Sequence, residues 1–160
     1  MKNLIKILLI FIIIGNTFWL FRLQTHNNQI IVNKYININK DTTFSILNLR
    51  EYILQLNIKH PKVVLAQAII ESGHFKSKLF RENNNLFGMR HAKQRHCISE
   101  GSKNGYAIYN NWKESVIDYA FYQKTYLSNL SDKEYIKAIQ KRHCSDKNYT
   151  KLINQIIRQL

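Results

Sequence analysis

The sequence predicts a mainly α-helical domain with one small β-hairpin, preceded by an N-terminal hydrophobic helix. Two patterns lead there. After residue 41, apolar residues recur at helical spacing in stretch after stretch, and only Cys97 to Tyr109 breaks that rhythm with two strand-like runs around a turn. Composition agrees: 45% hydrophobic and 12% aromatic residues are enough for a core and exclude a disordered chain. One proline and five glycines exclude a collagenous one.

The elements follow in order. Lys2 and Lys6 precede an unbroken apolar run, Ile7 to Ile14, which resumes at Phe18 to Phe21 after Gly15-Asn16-Thr17. Leu4 to Phe21 is near the shortest stretch that spans a bilayer. It also has the charged start and apolar middle of a secretory signal, but no alanine occurs before Ala66, so a small-residue cleavage site is missing. Residues 1–23 therefore read as an uncleaved signal-anchor, with a cleaved signal as the alternative. Either way, the remainder is expected outside the cytoplasm. Residues 24–40 are polar, Asn-rich and free of acid, a linker. All ten acidic residues lie at Asp41 or beyond, which sets the domain at 41–160.

Within it, Asp41 or Thr42 is the expected cap of a helix running through Leu56. Pro61 opens a second helix that Gly73 is placed to close. Gly101 to Gly105 forms the expected hairpin turn. Asn111 with Glu114, and Ser131 with Glu134, have the spacing of capping boxes before two further helices. Tyr149, Leu152, Ile153, Ile156, Ile157 and Leu160 make the stripe of a last helix after Asp146.

Lys plus Arg number 24 against 10 Asp plus Glu, a net charge of +14. Such a balance calls for an anionic partner, whether nucleic acid, acidic lipid or acidic wall polymer. Nucleic acid is disfavoured by the secretory N-terminus and the absence of any nucleic-acid motif.

The chemically informative residue is Glu71. It ends an apolar helix, after Ile69 and Ile70 and before Ser72-Gly73. Desolvation by the apolar wall and the negative end of the helix dipole both favour its neutral form. A carboxylic acid kept protonated near neutral pH is what a glycosidase needs to protonate a leaving oxygen. The competing reading is a solvated helix-end glutamate.

Four blocks in order then resemble a known family: Ala66-Gln67-Ala68-Ile69-Ile70-Glu71-Ser72-Gly73, Asn84-Asn85-Leu86-Phe87-Gly88, Tyr109 to Tyr119 with Trp112, Ser115 and Asp118 in register, and Asp146-Lys147-Asn148-Tyr149 through Leu152. Together they resemble the glucosaminidase domain of bacterial peptidoglycan hydrolases, glycoside hydrolase family 73. The resemblance implies a lysozyme-like α+β fold and hydrolysis of β-1,4 bonds after N-acetylglucosamine in peptidoglycan, with Glu71 as general acid. It implies a second acid on the hairpin. Glu100, the sole acid between Glu82 and Glu114, is the candidate, expected at the hairpin tip. Neighbouring-group help from the substrate acetamido group is the competing mechanism. Tyr149 matches a site tyrosine of the family, with a core aromatic as the alternative.

Asn84 and Asn85 are candidates for hydrogen bonds to sugar, with turn formation as the alternative. Phe87, Tyr106, Tyr109 and Trp112 are candidates for flat faces against sugar rings, with packing at a helix start as the alternative for Trp112. Asp118, deep in a helix, reads as structural. Lys76, Lys78, Arg81, Arg90, Lys93, Arg95 and Lys103 are expected to give the cleft a positive rim. Cys97 and Cys144 each follow Arg-His, but the spacing does not suit zinc, so no metal and no cofactor are expected. In an oxidising compartment the two thiols are a candidate disulfide. The chain is expected to act as a monomer on peptidoglycan glycan strands, held at the membrane by its N-terminal segment. Two rivals remain. One is a lytic transglycosylase or muramidase, although Leu86-Phe87-Gly88-Met89-Arg90 differs from the usual G-L-M-Q element of transglycosylases. The other is a non-enzymatic basic wall-binding module.

Overall fold

A computed structural model describes residues 43–143 and 148–160, besides Trp19 and Arg22. Residues 43–160 form a compact unit of their own. The N-terminal anchor and linker expectations fall almost wholly outside the described residues. Among those described, no helix is long and apolar enough to cross a membrane.

The unit contains helices α1 (Ile46–Gln55), α2 (Pro61–Glu71) and α3 (Lys78–Asn83), strands β1 (Gly101–Lys103) and β2 (Tyr106–Ile108), then α4 (Trp112–Tyr126), α5 (Asp132–His143) and α6 (Tyr149–Ile157). Among the described residues it is mostly helical, with one two-stranded antiparallel sheet. α2 lies at its centre. Val63 through Ile69 are all buried, Gln67 among them, so this helix is enclosed around its whole circumference rather than along one stripe. α1 and α6 pack on it, α4 packs on α1, and α5 on α6.

Local chemistry explains the boundaries. α1 begins at Ser45, whose Oγ accepts the Asn48 N–H at 3.0 Å, so the cap is Ser45 and not Asp41 or Thr42. Pro61 takes the first turn of α2, as its fixed φ and missing N–H favour. The other end closes as the sequence suggests: Gly73 stands at φ 57°, its N–H bonding Ile70 O at 3.0 Å while the His74 N–H bonds Ile69 O at 2.7 Å. Asn111 Oδ1 caps α4 by accepting from Lys113 and Glu114, and Glu114 Oε2 accepts the Asn110 N–H at 2.9 Å. Ahead of α5, Glu134 Oε2 accepts from both the N–H and the hydroxyl of Ser131.

The hairpin turn is Asn104-Gly105, both at positive φ, with Lys103 opposite Tyr106. A two-residue Asn-Gly loop matches the twist of paired strands. Gly101, expected in the turn, belongs to β1 and pairs with Ile108. Glu100 consequently sits at the base of the hairpin and not at its tip, its N–H bonding Ile108 O at 3.0 Å.

Candidate active site

Glu71 is the last residue of α2 and half-buried. Its Oε1 accepts a hydrogen bond of 2.9 Å from the hydroxyl of Tyr149, the first residue of α6. Burial pushes the Glu71 carboxyl above its ordinary range, and the Tyr149 hydrogen bond opposes this only in part. The carboxyl faces a cleft of about 500 Å³. Gly88, at φ 63°, lines the cleft on the side of Oε2. A side chain here would strain the backbone.

The Asn83-Asn84-Asn85 run positions that wall. Asn85 is fully buried; its Nδ2 donates to Met89 O at 2.9 Å and Ala107 O at 3.0 Å, and its Oδ1 accepts the Met89 N–H. Asn84, at φ 51°, donates to Tyr109 O, and the Tyr109 N–H bonds Asn83 O. These bonds tie the loop carrying Gly88 to β2. Asn85 is thus committed to the backbone on every side, and the expectation that it reaches a sugar is not met in this structure.

The aromatic candidates separate in the same way. Tyr106 lines the cleft and is 39% exposed. Phe87 is fully buried, stacked on Tyr119 with centroids 4.2 Å apart. Trp112 packs edge-on against Phe44 and Tyr52. Tyr109 is buried and donates to Asp118 Oδ2 at 2.7 Å. All three present their rings to the core: Trp112 from the first turn of α4, and Phe87 and Tyr109 from the connecting segments that pack beneath the cleft wall.

Asp118 is wholly buried, as a structural residue would be, and also receives both Arg95 guanidinium nitrogens at 2.7 and 2.9 Å. Fork geometry of this kind is the strong form of an ion pair. It holds Arg95 in the cleft wall, its guanidinium 5.9 Å from the Tyr122 ring centroid. Of the expected positive rim, Arg90 and Arg95 line the cleft, whereas Lys78 and Lys103 pair with Glu82. The cleft adds residues that the sequence did not single out, chiefly His91, Tyr122 and Tyr126. The two tyrosines lie one turn apart near the end of α4, a spacing that from sequence alone is also that of a core stripe.

Glu100 does not line this cleft. It is exposed, and its Oε1 accepts from Asn110 Nδ2 at 2.7 Å. Cys97 Sγ lies 3.1 Å from Ser99 Oγ, and its expected disulfide partner Cys144 falls outside the described residues. Among the described residues, no three His, Cys, Asp or Glu side chains come together where a metal could bind.

A half-buried carboxyl, biased toward its protonated form in a tyrosine-lined cleft, has the character of a glycoside hydrolase acid. The family model for mannosyl-glycoprotein endo-beta-N-acetylglucosaminidase matches residues 48–160, and the chain belongs to this glucosaminidase family. Its fold is similar to that of the catalytic domain of the autolysin Auto from Listeria monocytogenes, with a TM-score of 0.55 at 22% identity over 80% of this chain and 92% of that one. Protein bax of Escherichia coli (strain K12) is 42% identical over 65 residues, 41% of this chain. That match spans about a quarter (24%) of the curated relative's length.

Proposed function

We propose that the protein is an endo-β-N-acetylglucosaminidase of peptidoglycan, cleaving β-1,4 bonds after N-acetylglucosamine on a lysozyme-like fold, with Glu71 as general acid. The observation that carries this reading is the placement of a half-buried carboxyl in the cleft, Glu71 at the end of the central helix with Tyr149 bonded to one of its oxygens, where burial favours the protonated form. Tyr149 occupies Oε1, which leaves Oε2, on the Gly88 side, to carry the transferable proton. Once that proton passes to the leaving oxygen, the new carboxylate keeps the Tyr149 hydrogen bond, so the charge that develops already has a donor aimed at it. Tyr106, Tyr122 and Tyr126 offer apolar surface to sugar rings. Arg90 gives the cleft a positive edge suited to the carboxylates of the wall polymer.

Glu100 is our proposed second carboxylate, brought onto the substrate by movement of the hairpin. The alternative, attack by the substrate's own acetamido group, draws support from Glu71 being the sole carboxylate among the described cleft residues. The apolar run behind Lys2 and Lys6 supports a membrane-tethered chain with its catalytic domain outside the cytoplasm.

Digestion of purified peptidoglycan with product identification tests the activity. Fragments with reducing-end N-acetylglucosamine are expected. Anhydro-muramic ends would indicate a lytic transglycosylase, and an undigested wall bound by the protein would indicate a binding module.

A further inference from the structure

A second, smaller cavity of about 190 Å³ lies between α3 and the hairpin. Leu79 and Tyr106 line both this cavity and the cleft of Glu71, so the two adjoin across that pair. Beyond the pair the character of the wall changes. Lys78, Lys103 and Asn104 supply donors, and the one acid, Glu82, has Lys103 Nζ at 3.2 Å and Lys78 Nζ at 3.7 Å. The result is a pocket with one aromatic face, one leucine and an excess of positive charge. Those are the groups that an oxygen-rich, anionic saccharide would meet.

We propose that this cavity is a distal subsite, which holds a further saccharide unit of a strand whose scissile bond lies at Glu71, and that Lys103 donates to that unit. The proposal rests on the glycan hydrolysis proposed above and adds to it a reading of strand length. Both partners of the Lys103–Glu82 pair are substantially exposed, with 55% and 42% of their side chains open to solvent. Ion pairs of this kind contribute little to stability, so Lys103 is able to exchange its carboxylate for a ligand oxygen without loss of the fold.

Binding to the full chain carrying Glu71→Gln, which removes turnover, tests this. The probes are a tetrasaccharide and an octasaccharide of alternating N-acetylglucosamine and N-acetylmuramic acid, freed of stem peptides and titrated by calorimetry. The octasaccharide is expected to bind about tenfold tighter. Adding Lys103→Ala should bring that ratio toward one. Adding Glu82→Gln instead releases Lys103 from its carboxylate and should keep the ratio or enlarge it. If Lys103 serves only as a latch between α3 and the hairpin, the two substitutions act alike, and that result overturns the subsite. Equal affinity of the two lengths, or binding of neither, overturns it as well. Failure of the hydrolysis reading shows separately: the unaltered chain then leaves both strands intact, whatever their affinities.

Discussion

The Tyr149 hydroxyl donates to Glu71 Oε1 at 2.9 Å, joining the end of the central helix to the start of the last one. Burial and this bond pull the carboxyl in opposite directions: burial raises its range, and the hydrogen bond to the charged form lowers it. Tyr149→Phe keeps the ring and removes the donor, so Glu71 should become harder to ionise. The alkaline limb of the kcat/KM profile, which reports deprotonation of the acid, should move to higher pH. The maximal rate should fall by about tenfold or more, because the developing carboxylate loses its donor. A pH–rate profile of the variant decides the matter; an unmoved limb would mean that the bond does not tune the acid.

Glu71→Gln should lower activity by at least about a hundredfold, the low end for general acid catalysis. Its effect on stability has the opposite sign. A carboxyl whose range is raised by folding opposes the folded state increasingly as pH climbs past its ordinary value of 4.5. The Gln variant should therefore melt above the parent at neutral pH. The gap should close in acid below that ordinary value, where both chains carry a neutral group. Thermal melts across pH check this, and a parent more stable than the variant at pH 7 would contradict it.

The Asp118–Arg95 pair joins the middle of α4 to the loop before the hairpin. Their side chains are 0% and 4% exposed. Asp118→Ala would leave a buried guanidinium without its carboxylate and the Tyr109 hydroxyl without its acceptor. Breaking a buried pair from one side costs about 3–5 kcal/mol, a large part of a domain's stability. Denaturant unfolding should show a loss in that range, and a loss below about 1 kcal/mol would place the pair in water.

Much of this architecture is legible in the residues. Pro61, Gly73, Asn111 and Ser131 with Glu134 mark helix ends through local backbone chemistry, which needs no knowledge of the rest of the fold. Glu71 also stands out, because a carboxyl at the end of an apolar helix is a local anomaly. The aromatics that line the cleft are another matter. Phe87 and Tyr109 look like platforms in the sequence but are buried, Trp112 takes the packing role that its place at a helix start also allowed, and Tyr126 looks like one more helix residue yet lines the cleft. Which face of an element meets the core depends on partners far along the chain, and a single sequence does not carry that. The expected place of Glu100 shifts for a similar reason: a turn at Asn104-Gly105 moves it from tip to base.

Phe87 and Tyr126 should therefore separate cleanly on substitution. Phe87→Ala removes a fully buried ring and should cost about 3–5 kcal/mol of stability, with activity falling only as the folded fraction falls. Tyr126, 40% exposed at the cleft, should behave in reverse. Tyr126→Ala should lower stability by no more than about 1.5 kcal/mol, the worth of its ring contact with Tyr122, whose centroid lies 5.4 Å away. KM for glycan strands should rise by about threefold to tenfold, as loss of one aromatic contact implies. Paired unfolding and kinetic measurements on the two variants test the assignment. Unchanged KM in Tyr126→Ala would remove that residue from the site.

The second catalytic group is either Glu100 or the acetamido group of the substrate itself. Glu100 is exposed and bonded to Asn110, which lies just before the cap of α4, so recruiting it means breaking the 2.7 Å bond to Asn110 Nδ2 and moving the base of the hairpin. If it serves as the base that activates water, Glu100→Gln should lose activity nearly as severely as Glu71→Gln, and the product should appear with inverted anomeric configuration. Asn110→Ala, which frees Glu100 from its present partner, should then preserve or raise the rate. If the substrate acetamido group attacks instead, Glu100→Gln should cost only a small factor, and configuration should be retained. The anomer ratio seen by NMR in the first turnovers, measured for the parent and both variants, distinguishes the two. Retention together with near-full activity in Glu100→Gln would remove Glu100 from the mechanism and leave Glu71 as the one catalytic carboxyl of the cleft.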